Sequence, residues 1–89
     1  MIVSEITIKN LSDYLKLDFE SLTEAEMAEL STFLSSAKAF ISEYTGLNSE
    51  EIDNHETFVI AVYVLVQDMY DNRSYYVYKS NLNQVVEHI

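Results

Sequence analysis

Two histidines and a group of acids near the middle of the chain are the residues whose types could do acid–base or metal chemistry. His55 and His88 both lack a serine, cysteine or acid partner at the spacing of a known catalytic arrangement. The chain contains no cysteine, which excludes thiolate chemistry, disulfides and zinc–sulfur sites. We therefore expect no catalytic residue and place both histidines at helix ends or on the surface.

The acidic group is rich in oxygen ligands and consists, with one histidine, of Glu50, Glu51, Asp53, His55 and Glu56. Its spacing differs from the Asp-x-Asp-x-Asp-Gly pattern of a calcium-binding loop. A helix that begins here explains the acids better, because the positive end of the helix dipole favours them in the first turn. A single glycine also excludes a phosphate-binding glycine loop. The sequence therefore predicts no metal, no cofactor and no enzymatic activity.

A third candidate is Ser21, which stands between Glu20 and Leu22 just before an acidic helix. This pattern is similar to the Asp-Ser-Leu motif of acyl carrier proteins, which are also small, acidic and helical. Here a glutamate replaces the aspartate, and Ser21 lies too near the N-terminus to follow a full first helix and a long loop. The simpler interpretation is a connector residue ahead of a helix cap at Thr23. An acyl-carrier-like protein remains a remote alternative.

The elements that would position these residues are organised around one apolar run, residues 58–66. Its β-branched residues favour a strand, but the apolar pattern continues to Tyr70, which is too long for a buried strand. Helical spacing, with Asp53 and Glu56 as a capping box, predicts instead a central helix from Asn54 to Asn72. The run is too short to span a bilayer, which needs about 20 apolar residues.

A long amphipathic helix over Glu24–Thr45 is the second main element. Thr23 and Glu26 form a capping box at its start, and Gly46, the only glycine, is expected to end it in the left-handed conformation. Its apolar stripe, which we expect to complete the core, includes Met27, Leu30, Leu34, Ala37, Ile41 and Tyr44 and is widened by Phe33 and Phe40.

Shorter elements complete the predicted fold. A short helix is expected after the N-cap Thr7, a single turn begun by Asn48 or Ser49, and a last helix after Ser80 or Asn81. The absence of proline and the single glycine argue against a many-stranded β protein. The sequence therefore predicts one all-α domain over residues 1–89, a small bundle of about four helices around the central apolar helix.

The formal net charge is −10, from 15 acidic and 5 basic residues. This charge disfavours ordinary nucleic-acid binding, which needs basic patches, and it also disfavours binding to anionic membranes. It is compatible with a passage lined with acids, through which a DNA duplex slides without sticking. The N-terminus carries no basic segment followed by an apolar one, so we expect an intracellular protein without a secretory signal.

The central helix is apolar on nearly every face, and a short chain has few elements to cover it. Seven tyrosines and four phenylalanines make the chain rich in aromatic residues, which favour subunit interfaces. Either the other helices wrap this helix completely, or another subunit completes its burial. The residues that we predict at this subunit interface are Tyr63, Val66, Tyr70, Tyr75, Tyr76 and Tyr78.

Three stretches together resemble the phage head–tail connector family, also called DNA-packaging or head-completion adaptors. Residues 6–18 contain a threonine-capped short helix that leads into Tyr-Leu and an aspartate. Residues 37–46 are similar to the family's helix end, an Ala-x-x-x-Ile-x-x-Tyr-Thr-Gly pattern, and residues 69–73 look like its Tyr-x-Asn-Arg ending. Each stretch reflects mostly capping and amphipathicity, so the resemblance rests on their joint order and spacing, which cover nearly the whole chain.

The resemblance implies an all-helical, non-enzymatic subunit that forms a ring, usually dodecameric, under the portal of a phage or prophage. Such a ring extends the DNA channel, lets packaged DNA pass without sequence-specific binding, and provides the platform for tail attachment. Its partners would be copies of itself, the portal protein and a downstream head-completion or tail protein. It would be found in the bacterial host cytoplasm during assembly and at the head–tail junction of the virion.

The main alternative is a small acidic adaptor or DNA-mimic inhibitor that binds a basic protein surface. A DNA mimic would need acids on one exposed face at phosphate-like spacing. The acids of this chain are spread over helix starts and connectors instead.

Overall fold

The computed structural model describes residues 1–73, and this part of the chain is all-α. Within it there is no strand, and the α-helices are α1 (Ile8–Tyr14), α2 (Glu24–Thr45), α3 (Ser49–Asp53) and α4 (Thr57–Asp71). Two short 3-10 turns, Val3–Glu5 and Phe19–Ser21, precede α1 and α2. The predicted all-α fold with a long second helix is confirmed. The last predicted helix, after Ser80 or Asn81, lies outside the described residues.

Both ends of α2 form as local chemistry predicts. The Thr23 hydroxyl accepts a 3.1 Å hydrogen bond from the Glu26 amide, and the Glu26 carboxylate accepts one of 3.2 Å from the Thr23 amide. This capping box satisfies amides that have no partner inside the helix. At the other end Gly46 adopts φ 75°, and its amide donates to the Ser42 carbonyl at 2.8 Å. A helix of 22 residues is about 33 Å long, so α2 runs along the whole bundle.

The start of α4 differs from the prediction. The helix begins at Thr57, and its N-cap Glu56 makes no side-chain cap hydrogen bond, so the predicted capping box of Asp53 and Glu56 is wrong. Asp53 is instead the last residue of α3, a separate turn that Asn48 caps as predicted. Its carboxylate accepts hydrogen bonds from the amide and the hydroxyl of Ser4, 49 residues away. This long-range contact removes Asp53 from the helix entry.

The N-terminal part folds over one side of α2 and α4. Thr7 caps α1 as predicted, since its hydroxyl accepts a 3.1 Å hydrogen bond from the Asn10 amide. The preceding residues form the 3-10 turn Val3–Glu5, in which Val3 is buried, and Ile6 just after the turn is buried as well. These two side chains and Leu11 therefore close the bundle on this side.

The core lies where α2 packs against α4. The two helices are antiparallel. Arg73, beyond the end of α4, lies 3.6 Å from Glu29 near the start of α2. At the other end, Phe58 at the start of α4 and Tyr44 at the end of α2 line the same groove. The buried apolar side chains are Val3, Ile6, Leu11, Leu30, Ala37, Ile41, Ile52, Val59, Val62 and Val66. Only one face of α4 is therefore covered by the described part of the chain.

Candidate protein-binding groove

Large apolar side chains of α2 and α4 remain exposed on one side of the helix pair. The exposed fractions are 53% for Phe40, 83% for Tyr44, 66% for Ile60 and 54% for Val64. The prediction that Phe40 and Tyr44 complete the core is wrong, because α4 packs along the Leu30, Ala37 and Ile41 line of α2 and leaves these rings at its edge. Phe33, in contrast, is half-buried and packs against the core as predicted.

Three of these side chains, Phe40, Tyr44 and Val64, form part of an apolar groove between the end of α2 and the first half of α4. The groove has a volume of about 430 Å³ and its walls are Phe40, Ile41, Tyr44, Thr45, Phe58, Ala61, Val64 and Leu65. Thr45 is the one polar residue among them, and its hydroxyl donates a 2.7 Å hydrogen bond to the Ile41 carbonyl. The surface that the groove presents is therefore entirely apolar.

Aromatic contacts hold both walls of the groove in place. Phe40 and Tyr44, one helical turn apart, stack in parallel with ring centroids 6.0 Å apart and an interplanar angle of 9°. On the other wall, Phe58 meets the His55 ring edge-to-face at 5.8 Å. Such aromatic pairs are worth about 0.5–1.5 kcal/mol beyond the area they bury. These contacts favour a groove that is formed before a partner arrives, and a preformed groove lowers the entropic cost of binding.

The charged residues beside the groove are acids. Glu43 follows Phe40 by three residues and Asp68 follows Val64 by four, so each lies one helical turn from a groove residue, and both are exposed. Lys38 of α2 lines a different cavity, on the other flank of this helix. We call Glu43 and Asp68 the acidic rim of the groove. Its negative potential adds to that of a chain with a net charge of −10.

The residues predicted at a subunit interface lie elsewhere. Val66 is fully buried in the core of the chain, which corrects its assignment to a surface that meets another subunit. Tyr63 and Tyr70 are half-buried on the flank of α4 opposite the groove. The predicted interface residues Tyr75, Tyr76 and Tyr78 lie outside the described residues.

Tyr63 and Tyr70 both make contacts with other residues of the same chain. Tyr63 stacks on Tyr14 with centroids 4.8 Å apart, and its hydroxyl contacts the Met1 sulfur at 3.6 Å. Burial, and secondarily the negative charge of Asp13, raise the pKa of Tyr63 above its usual value of 10.0. The Arg73 guanidinium lies 4.0 Å above the Tyr70 ring.

The residues first considered for chemistry are accounted for by local structure. Glu50 and Glu51 occupy the first turn of α3, where the helix dipole favours acids. The Ser21 hydroxyl donates a 2.7 Å hydrogen bond to Asp18 in the 3-10 turn ahead of α2, so Ser21 is a connector residue as predicted. Within residues 1–73, no group of three or more histidine, cysteine or acidic side chains is placed to hold a metal ion.

A second, smaller cavity of about 270 Å³ lies between the N-terminal turn, α2 and α3. Its walls are Val3, Ser4, Lys38, Ala39, Ser42, Ser49, Ile52 and Asp53. Two of the polar groups are already used, since Asp53 accepts from Ser4 and the Ser42 hydroxyl donates to the Leu47 carbonyl at 2.7 Å. This cavity is less apolar than the groove and has no aromatic wall.

Sequence reasoning did not identify the groove, although a signal for it was present. Phe40 and Tyr44 lie four residues apart and to one side of the Leu30, Ala37 and Ile41 stripe. When an apolar stripe is wider than one packing partner can cover, it indicates a second contact surface. We interpreted these two aromatic residues as part of the core instead.

No helix in the described part of the chain is long and apolar enough to cross a membrane. Comparisons of the sequence and structure with protein-family models, curated proteins and solved structures found no match.

Proposed function

We propose that this protein is a structural subunit of a phage or prophage head–tail connector. It assembles into a ring under the portal, extends the DNA channel and provides the platform for tail attachment. It acts in the host cytoplasm during assembly and at the head–tail junction of the virion. The observation that carries the proposal is the apolar groove between α2 and α4, which the described part of the chain leaves open.

An open groove of this kind supports a role in assembly. Burying an apolar side chain completely is worth about 1.5–3 kcal/mol, and at least three wall residues, Phe40, Tyr44 and Val64, are more than half exposed. Covering them would contribute several kilocalories per mole to a complex. Exposed apolar surface that is ordered and concave is typical of protein–protein contact sites. A ring under a portal offers several such partners, and neighbouring subunits of a ring meet through heterologous contacts.

The charge of the chain supports a passage for DNA. Its net charge of −10 repels phosphate, so a duplex inside the ring would move without being held. The resemblance in residues 6–18, 37–46 and 69–73 supports the same assignment, and the structure forms helix ends at Thr7 and Gly46, which belong to the first two of these stretches.

Light scattering over a concentration series, alone and with a portal protein, tests the proposal. A ring, or a monomer that joins the portal, is the expected result. Val64→Asp places a charge in the groove and should abolish the complex with the portal protein, whereas Gln67→Asp, on an exposed position of α4 outside the groove, should leave it intact. A monomer or dimer that ignores portals would contradict the connector assignment.

The acidic rim favours a second candidate, a small acidic adaptor that binds a basic protein surface. Such an adaptor would use the same groove, with Glu43 and Asp68 facing lysine and arginine side chains of its target. Capture of a basic host enzyme in a pull-down, lost in Val64→Asp, would support this candidate over the connector.

A further inference from the structure

We infer that the groove between α2 and α4 binds one amphipathic helix of a different protein, with apolar anchors on one face and lysine or arginine beside them. This inference takes from the proposed function only that the groove docks an assembly partner. It adds the chemistry of that partner and excludes a second copy of this chain as the occupant.

The dimensions of the groove fit a short helix. Its α4 wall runs from Phe58 to Leu65, a rise of about 10 Å or two helical turns. Its α2 wall runs from Phe40 to Thr45 along the antiparallel partner. A helix laid between two such walls presents anchors at positions i, i+3 or i+4, and i+7. The absence of exposed polar groups on the described walls means that the anchors must be apolar, since a buried polar anchor would find no hydrogen-bond partner.

The acidic rim determines the charge of the partner. Glu43 lies beside the α2 wall, whereas Asp68 lies beside the α4 wall, one helical turn after Val64. A helix seated between them would place its flanking residues near carboxylates on both sides. Lysine or arginine at these flanks would attract the rim and increase the association rate, whereas glutamate would be repelled.

The same charges argue against a second copy in the groove. Two copies that met groove to groove would bring Glu43 and Asp68 of one copy near the same carboxylates of the other, and these like charges repel. In the part of the chain described here, Lys9 pairs with Asp13 at 3.4 Å and Arg73 with Glu29 at 3.6 Å. Two of the described cations are therefore already committed within the chain.

Fluorescence anisotropy with three labelled helical peptides tests the inference on the full chain. The first peptide has leucine anchors at i, i+4 and i+7 with lysine flanks, the second has glutamate flanks, and the third has serine in place of the anchors. We expect the lysine peptide to bind, with an affinity that falls as salt is added. The glutamate peptide should bind at least about tenfold more weakly, and the serine peptide should not bind.

Charge-reversal variants locate the binding. The double variant Glu43→Lys with Asp68→Lys should reverse the preference towards the glutamate peptide, because both substituted residues are exposed one helical turn from a groove residue. The matched control Glu20→Lys, in the 3-10 turn before α2 and remote from the groove, should leave the preference unchanged. Val64→Asp should abolish binding of the lysine peptide, while circular dichroism verifies that each variant is folded.

The outcomes separate this inference from the proposed function. Equal binding of the lysine and glutamate peptides, or a preference that the double variant does not alter, would overturn the inference. So would self-association that Val64→Asp abolishes without any peptide binding, although a ring formed in this way would still support the connector. Absence of peptide binding, self-association and portal binding together would overturn both.

Discussion

Valines lie on two sides of α4, and they have different roles on the two sides. Val62 and Val66 are fully buried against α2 and α1, whereas Val64, between them in sequence, is more than half exposed in the groove. The difference comes from the neighbouring helices, since the described chain covers one side of α4 and leaves the other open. Valine therefore stabilises the fold at two positions and offers a contact surface at a third. Apolar content alone does not distinguish these roles.

The largest loss of stability is expected from a substitution on the buried side of α4. Val66→Asp places an unpaired carboxylate in a fully buried position, and the cost of several kilocalories per mole is comparable to the 5–15 kcal/mol stability of a typical domain. We expect this variant to lose its helical circular dichroism or to melt at a much lower temperature. The same substitution at exposed Val64 should change the free energy of unfolding by about 1 kcal/mol or less. Equal melting temperatures of the two variants would contradict the assignment of the two sides.

A smaller substitution sharpens the comparison without charge. Val62→Ala removes two methyl groups from a fully buried side chain and should lower the free energy of unfolding by about 2 kcal/mol, from lost burial and a small cavity. Val64→Ala should lower it by about 0.5 kcal/mol or less but weaken binding in the groove. Urea titration measures the first effect, and peptide anisotropy measures the second. If Val64→Ala proved as destabilising as Val62→Ala, the assignment of Val64 to an open groove would be wrong.

Gly46 ends α2, the helix that provides one wall of the groove and also packs against the buried side of α4. Its φ of 75° is strained for other residues, while a Cβ there would meet no atom within 4 Å. Gly46→Ala should therefore cost about 1 kcal/mol through the backbone alone, with Ser36→Ala in the exposed middle of α2 as a control. Thermal unfolding measures this cost. An unchanged stability would show that the left-handed helix end is not maintained.

The smallest effect concerns the flank of α4 opposite the groove, at Tyr63. Burial and Asp13 raise the pKa of this phenol, so the folded chain holds the proton more tightly than the unfolded chain. The stabilisation is complete below pH 10 and is lost as the pH rises through the raised pKa. Tyr63→Phe should therefore lose less stability than the wild type as the pH rises above 10.0, the usual pKa of this phenol. Tyr44→Phe, at an exposed ring, should behave as the wild type.

Local signals in the sequence predicted the helix ends that depend on neighbouring residues. Thr23 with Glu26, Thr7, Asn48 and Gly46 all act within a few positions of themselves, and the structure confirms each of them. The second helix was predicted with its correct bounds for this reason. The all-α class followed from the same signals, together with the lack of proline.

Features that depend on distant contacts could not be predicted in this way. Asp53 had the right spacing to cap α4, but Ser4 from the N-terminal turn takes its carboxylate. Phe40 and Tyr44 had helical spacing typical of core residues, but their burial depends on where α4 crosses α2. Val66 was assigned to an interface because the sequence cannot show which valines of an apolar helix find cover inside the chain.

The hydrogen bonds between Ser4 and Asp53 also bear on the order in which the chain folds. They close a loop of 49 residues that contains α1, α2 and nearly all of α3, so the entropy of closing it is lost before these bonds can form. We therefore expect α2, with its local caps, to form early and the N-terminal turn to dock last. Because docking buries Val3 and Ile6, slow exchange of the Ser4 amide hydrogen would mark a completely folded molecule rather than a local helix.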